Sequence, residues 1–408
     1  MTVNSLYFHK PRLQALHHFA DQQIAQQNFA GMAWCVEHRG SVVDEGLRGC
    51  SDHALEHAVQ SDTLYRLYSM TKPIVSVRCL QLLEAGRLRL DDPISRWIPE
   101  FASMSVFTQS GKLEPAHRQI TIEDLLTHRS GLSYDFLPNC SAAKLYRGAR
   151  LAEDGARSLK DLVGLLAEFP LALQPGQRWY YSYATDVLAH VLECVTGQSL
   201  AECLREGLFA PLGMNETGFQ VDSRDQHRVA DMFGQRELGQ EEVDVCTTND
   251  LRAMDVSESY PMSSDAKFAR GGIGLFSTLS DYRRFLPILM NGNSPDGEPL
   301  LSAMTLHMLW QNRLSTAQMP IAIGDKAFDG YGWGLTGRIM SNTVNASTVS
   351  ATGEGGWAGA ASTYFWVDRA NEVTGIVMAQ YLGSAIAVGP SMQSLAYGAL
   401  CHKPPPAL

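Results

Sequence analysis

The chain has 408 residues, 45% of them hydrophobic, a formal net charge of −10 and no basic run. That apolar content supports a substantial core, in two or three domains or in one large fold with an inserted lobe. The acidic balance argues against nucleic acid or an anionic membrane as partners. Cysteines 35, 50, 79, 140, 194, 203, 246 and 401 form no Cys-x-x-Cys pair and no metal-ligand spacing. They are expected as small core residues in a reducing compartment. Residues 1–10 lack a charged start followed by an apolar core, so no secretory signal is expected and the chain reads as cytoplasmic.

Residues 11–27 carry Leu13, Leu16, Phe19 and Ile24 at helical spacing. Met32, Trp34 and Val36 then alternate with Ala33, Cys35 and Glu37, the period of a strand. Arg39-Gly40-Ser41 turns the chain into a partner strand over 42–47. Next comes Leu67-Tyr68-Ser69-Met70-Thr71-Lys72-Pro73. Ser69 opens an apolar helix with Ile74, Val77, Leu80 and Leu83, stopped by Gly86, and Pro73 falls in the first turn, where a missing N–H costs little. Residues three apart share a helical face, so one rigid element positions both Ser69 and Lys72. An amine there activates the hydroxyl if its surroundings lower its pKa from about 10.4. Ser-x-x-Lys recurs at Ser141/Lys144 and Ser264/Lys267, both in loop compositions. Context selects Ser69.

From residue 121 the texture turns helical, announced by caps at Thr121/Asp124, Ser158/Asp161 and Ser199/Glu202, with Gly197 ending a further helix. Near residue 271 it changes again. Thr278/Asp281 starts a helix to about residue 290, strands are expected over 362–368 and 373–381, and a last helix runs to about 400. Residues 373–401 hold no charge, yet Gly375, Gln380, Gly383, Gly389, Pro390 and Gln393 divide them into a strand, a turn and a helix too short to span a membrane. The expected architecture is α+β. A discontinuous domain of residues 1–115 and 265–408, an antiparallel sheet with flanking helices, carries a mainly helical insertion, 116–264.

Two further stretches bear on chemistry. Pro175-Gly176-Gln177-Arg178-Trp179-Tyr180-Tyr181-Ser182-Tyr183 leads straight into a helix, and on its own reads as aromatic packing. Gly353-Glu354-Gly355-Gly356-Trp357-Ala358-Gly359-Ala360-Ala361 alone reads as a glycine-rich turn between strands. Their order and spacing after the Ser69 motif, with Leu125-Leu126-Thr127-His128-Arg129-Ser130-Gly131-Leu132 and Gly271-Gly272-Ile273-Gly274 between, covers most of the chain. It resembles the serine hydrolases of the β-lactamase/penicillin-binding-protein fold, in particular the family VIII carboxylesterases related to class C β-lactamases.

The resemblance implies Ser69 as acyl-accepting nucleophile, Lys72 sharing its proton, and Tyr181 passing protons to and from substrate. It implies an oxyanion hole of the Ser69 and Ala360 amides, a pocket lined by Tyr134, and Trp357 and Gly359 on the strand beside the site. A phenolate at Tyr181 requires a cationic Lys72 to lower the phenol's pKa from about 10. Protons of such a pair belong to the pair, so neither residue is fixed as the base. No cofactor or metal is implied.

Two departures set the substrate expectation. Tyr183 stands where lactamases of this fold have the asparagine of Tyr-x-Asn, and Trp357-Ala358-Gly359 stands where they have Lys-Thr-Gly. An indole removes a cation that pairs with a substrate carboxylate, although Arg270 or another arginine can restore one. An alternative register puts Glu354-Gly355-Gly356 in that motif; the strand that follows favours Trp357. No Gly-x-Ser-x-Gly occurs, and His128 reads as a helix C-cap rather than a triad base. The expected function is a carboxylesterase cleaving small neutral esters through an acyl-Ser69 intermediate. The alternatives are a β-lactam or amide hydrolase or an acyltransferase using the same acyl-enzyme, or a catalytically silent binding protein on this scaffold.

Overall fold

The alternation at residues 32–37 and the turn after it build the hairpin from which the main sheet grows. Gly31–His38 pairs antiparallel with Ser41–Gly49. Arg39 and Gly40 take φ of +53° and +70°, the paired left-handed conformation that matches strand twist in a two-residue hairpin. The computed structural model describes residues 7–234, 249–263 and 267–401. On the far side of Gly31–His38 lies Val373–Met378, followed in order by Thr363–Asp368, Gly355–Gly359, Arg338–Met340 and Tyr331–Trp333. All these pairings are antiparallel, giving a sheet of seven strands.

The sheet is covered on both faces, so its central strands are buried throughout rather than alternately. Trp34, Tyr364, Trp366 and Val377 pack with Leu13 and Leu16 of the Lys10–Ala25 helix and Met392 and Ala396 of the Val388–Ala399 helix. Ala33, Phe365, Ile376 and Met378 share the other core with Ile74 and Val77 of Thr71–Glu84 and Phe285 of Leu279–Asn291.

The helix signals behave as local chemistry dictates. Thr121 with Asp124 and Ser199 with Glu202 form reciprocal caps. Ser158 and Thr278 accept from the amides of Asp161 and Asp281. Ala184–Thr196 ends at Gly197, φ +74°. Within 116–264 there is also strand: Met232–Gly234 pairs with Ala253–Met254 and runs parallel to Tyr381–Leu382. Strands of two or three residues leave no periodicity to read. Ser141 differs from expectation too. It opens the helix Ser141–Gly148, because the Cys140 thiol caps the amide of Ala143, but both Ser141 and Lys144 are exposed. Ser264, Cys246 and the boundary drawn at 264/265 lie outside the described residues. Cys35, Cys79, Cys140 and Cys203 are buried, Cys50 half-buried, Cys194 and Cys401 exposed, and all seven are free thiols. Among the described residues no helix is long and apolar enough to cross a membrane.

Candidate active site

Ser69 sits where an extended segment turns into a helix. Tyr65–Arg66 pairs with Phe276–Ser277, and the Leu67 amide donates to the Leu275 carbonyl at 2.9 Å. Tyr68 then takes φ +46°, rare for a bulky residue, to wind the tight turn Tyr68–Met70 into the Thr71–Glu84 helix. The turn is held from outside. The Leu67 carbonyl accepts from Thr363 Oγ1 at 3.1 Å, and the Met70 carbonyl from Tyr282 OH at 3.0 Å. Gly359 lies so close that a Cβ there would come within 2.3 Å of the Leu67 oxygen.

Two side chains meet on Ser69. Ser69 Oγ lies 2.7 Å from Tyr181 OH and 3.1 Å from Lys72 Nζ. Nζ also lies 2.8 Å from the Gly272 carbonyl, 2.9 Å from Tyr134 OH and 4.7 Å from the centroid of the Tyr181 ring. The indole N–H of Trp357 donates to Tyr181 OH at 3.0 Å. Tyr181 is seated by rings: Trp179 stacks on it, and Tyr134, His128 and Trp357 surround it. Tyr181 follows the Pro175-Gly176 turn and leads into Ala184–Thr196, so its aromatic neighbours are packing and chemistry together.

Burial sets the protonation. Lys72, 1% exposed, has its pKa brought down to about 7 because an ammonium there loses its water, with Asp186 opposing the change. Tyr181 moves the other way from the expectation of a phenolate beside a cation: burial raises it, and its bonds to Ser69 and Trp357 only moderate the rise. A neutral amine has two N–H bonds and one lone pair. Gly272 O takes one N–H and Tyr134 OH the other, leaving the lone pair facing the hydroxyl of Ser69. The Tyr181 hydroxyl, receiving the Trp357 N–H, points its own proton at Oγ. With Lys72 neutral, one directed chain runs from Trp357 through Tyr181 and Ser69 to Lys72; with Lys72 protonated, its N–H donates to Ser69 Oγ instead.

The cleft over these groups encloses about 530 Å³. Ser69, Tyr134, Tyr181, Trp357, Gly359 and Ala360 all line it, with Lys72 beneath Ser69. Gly355–Gly359 pairs with Arg338–Met340 only through Gly355 and Gly356, so residues 357–359 stand along an open edge of the cleft. Trp357, and not Glu354, lines the cleft together with Ser69. Glu354 is buried elsewhere, accepting from Arg338 at 3.1 Å and from Tyr331 OH at 2.8 Å. Arg270 supplies no cation to the cleft: its guanidinium donates to the carbonyls of Asp154 and Arg157. His128 packs its ring on Tyr181 at 4.9 Å, with Nδ1 3.4 Å from Ser182 Oγ.

Other residues at the site were marked in the sequence weakly or not at all. Tyr183, in the asparagine position, donates to Asp135 at 3.2 Å, and burial raises the Asp135 carboxyl to about 6. Arg338 reaches the cleft but is held by Glu354. Asp186, one carboxylate on the otherwise apolar start of Ala184–Thr196, binds the Gly272 amide at 3.0 Å. A charge in an apolar run was the one available cue. Among the described residues no cluster of histidine, cysteine or carboxylate side chains is placed to hold a metal.

Comparison with known proteins places the chain in a family. The family model described as Beta-lactamase matches residues 16–389. Protein Rv1367c of Mycobacterium tuberculosis is 30% identical over 83% of this chain and 84% of its own. Esterase EstB of Burkholderia gladioli is 28% identical over 86% of each chain. Among solved structures, EstCE1, described as a hydrolase with promiscuous acyltransferase activity, superposes with a TM-score of 0.77 at 22% identity, covering 96% of this chain and 98% of its own.

Proposed function

The chain belongs to the Beta-lactamase family, and from that premise we propose that it is a serine carboxylesterase working through an acyl-Ser69 intermediate. The observation that carries the reading is the convergence of Lys72 Nζ and Tyr181 OH on Ser69 Oγ at 3.1 and 2.7 Å, with the amine's pKa near 7. Neutral Lys72 accepts the serine proton as Oγ attacks the ester carbonyl. The oxyanion forms against the amides of Ser69 and Ala360, and the alkoxide leaves with a proton from the Lys72–Tyr181 pair. Water then gives a proton to the same pair as it attacks the acyl group; the intermediate collapses, the acid leaves, and Ser69 Oγ takes that proton back. Tyr134, Trp357 and Gly359 bound the substrate in the cleft between the sheet unit (1–115 and 265–408) and the helical unit (116–264).

The substrates are neutral esters. Trp357 offers no charge to a carboxylate, and Arg338 is offset by Glu354. The esterase name of a relative aligned over 86% of the chain supports hydrolysis as the outcome. Free thiols at all seven described cysteines support a reducing, cytoplasmic setting.

The test is p-nitrophenyl acetate turnover together with fluorophosphonate labelling. Ser69→Ala should lose both, while Ser141→Ala keeps them. Substantial hydrolysis by a folded Ser69→Ala protein would overturn the assignment.

A further inference from the structure

Lys72 needs its proton acceptor and donor geometry fixed, and only part of the fixing comes from residues so far given a role. Its amine donates to the carbonyl of Gly272 at 2.8 Å, and the amide of the same glycine donates to Asp186 Oδ1 at 3.0 Å. The glycine is clamped between the two. A Cβ on Gly272 would lie 2.5 Å from Asp186 Oδ2 and 2.9 Å from Tyr134 OH, the other acceptor of the lysine. Asp186 is 1% exposed, and its second oxygen has no hydrogen-bond partner. A buried carboxylate with an unsatisfied oxygen is costly, and an asparagine or serine would bind the Gly272 amide without that cost. Burial raises the Asp186 carboxyl, while Lys72, the Gly272 amide and Arg270 oppose that rise and favour its charged form, so a negative charge kept here calls for a reason.

We propose that Asp186 is a positioning residue for Lys72: through Gly272 it places the carbonyl that holds the amine, and its buried charge sets how readily that amine takes up the serine proton. A negative charge nearby favours the ammonium that forms when Ser69 gives up its proton, so it offsets the burial that would otherwise make Lys72 too weak a base. The direction agrees with the opposing action of Asp186 on the Lys72 pKa.

The other groups around the pair do not account for a change near neutrality. Tyr134 and Tyr181 face Lys72 and are raised by burial, as is Tyr183 near Asp186. His128 is held well below its ordinary range by burial and by Lys72. Arg270 faces Asp186 from the other side, lowered by burial but remaining a cation. Asp135, raised to about 6, is bonded to Tyr183 rather than to the amine.

The inference rests on the reading of Lys72 as base to Ser69, and two readouts keep the two apart. The first is the titration of the Lys72 side chain by NMR in protein labelled with ¹³C-lysine, its resonance assigned by its loss in Lys72→Arg; this needs no turnover. The second is the acid limb of kcat/KM for p-nitrophenyl acetate. Asp186→Asn keeps an oxygen for the Gly272 amide and removes the charge. Both readouts should move to lower pH, by about one unit. Asp186→Ala should shift them likewise and also lower kcat by about 10- to 100-fold, because the Gly272 carbonyl is no longer held in place. The alanine protein decides the matter if the asparagine protein does not fold. An unmoved Lys72 titration in a folded variant, with only a lower melting temperature, reduces Asp186 to a structural residue and overturns the proposal. Absence of Ser69 labelling in the wild type would instead sink the esterase reading, while the Lys72 titration still decides this one.

Discussion

At the scale of single residues, the removal of water sets the protonation of the site. Lys72, Tyr134 and Tyr181 are each nearly inaccessible, and the loss of hydration makes the amine a base near neutral pH while keeping the phenols protonated. Activity should therefore rise with pH as Lys72 loses its proton, passing half its plateau at about 7. The same group bears on stability with a definite sign. Its folded pKa lies below its unfolded value of 10.5, so between about 7 and 10.5 the unfolded chain holds a proton that the folded chain lacks. Its contribution to folding stability rises across that window and is lost as pH falls to 7. Tyr181→Phe separates proton transfer from packing. It removes the hydroxyl that joins Ser69 to the Trp357 N–H and leaves the ring among Trp179, His128 and Tyr134. A loss in kcat of about 10²–10⁴ is expected, with a modest fall in melting temperature from the unpaired indole. Near-native kcat with an early melt would mean that the tyrosine only packs.

At the scale of elements, what was legible was local. The Ser69 helix, the caps at Thr121 and Ser199 and the stop at Gly197 each depend on neighbours within a turn, so the sequence displays them. Tyr181 was legible as a site residue only through the family pattern, because the partners of its hydroxyl, Ser69 and Trp357, are 112 and 176 residues away. Asp186 and Gly272, and Asp135 with Tyr183, meet across the fold in the same way. The condition set for a phenolate at Tyr181, a cationic Lys72 that lowers the phenol, is opposed by burial, which raises Tyr181 and lowers Lys72.

The strand Gly355–Gly359 illustrates how an element delivers precision to the site. A Cβ at Gly359 would meet Thr363 Oγ1 at 2.1 Å and the Leu67 carbonyl at 2.3 Å, so a side chain must push the strand off the turn that carries Ser69. Gly359→Val should lower kcat/KM by about 10²-fold or more while the circular dichroism of the sheet survives. Gly164, inside Leu159–Glu168, has open space where its Cβ would be. Gly164→Ala should leave kcat/KM unchanged and raise stability by up to ~1 kcal/mol. Equal effects at the two positions would refute the claim that close approach at Gly359 matters to the site.

At the scale of the whole molecule, charge decides which esters are admitted. A net charge of −10 disfavours anionic substrates at encounter, and the cleft does not reverse this locally. Arg270 is spent on backbone carbonyls inside the helical part, and Arg338 is matched by Glu354. Lys326 on the cleft wall is accompanied by Asp329. On the cleft wall, position 357 holds an indole that already gives its N–H to Tyr181. A charge-assisted hydrogen bond is worth roughly 1.5–3 kcal/mol, so a ligand whose carboxylate finds none is weakened by about one to two powers of ten. Wild-type protein should therefore turn over p-nitrophenyl acetate or butyrate with a higher kcat/KM than a chromogenic cephalosporin bearing a free carboxylate. Trp357→Lys adds a cation but also removes the N–H to Tyr181, so its proper reference is Trp357→Phe, which removes the N–H and the larger ring but adds no charge. Relative to the phenylalanine protein, the lysine protein should shift the ratio toward the cephalosporin by about tenfold or more. A wild-type preference for the cephalosporin would contradict the neutral-ester reading. An unchanged ratio between the two variants would show that position 357 does not set the charge preference.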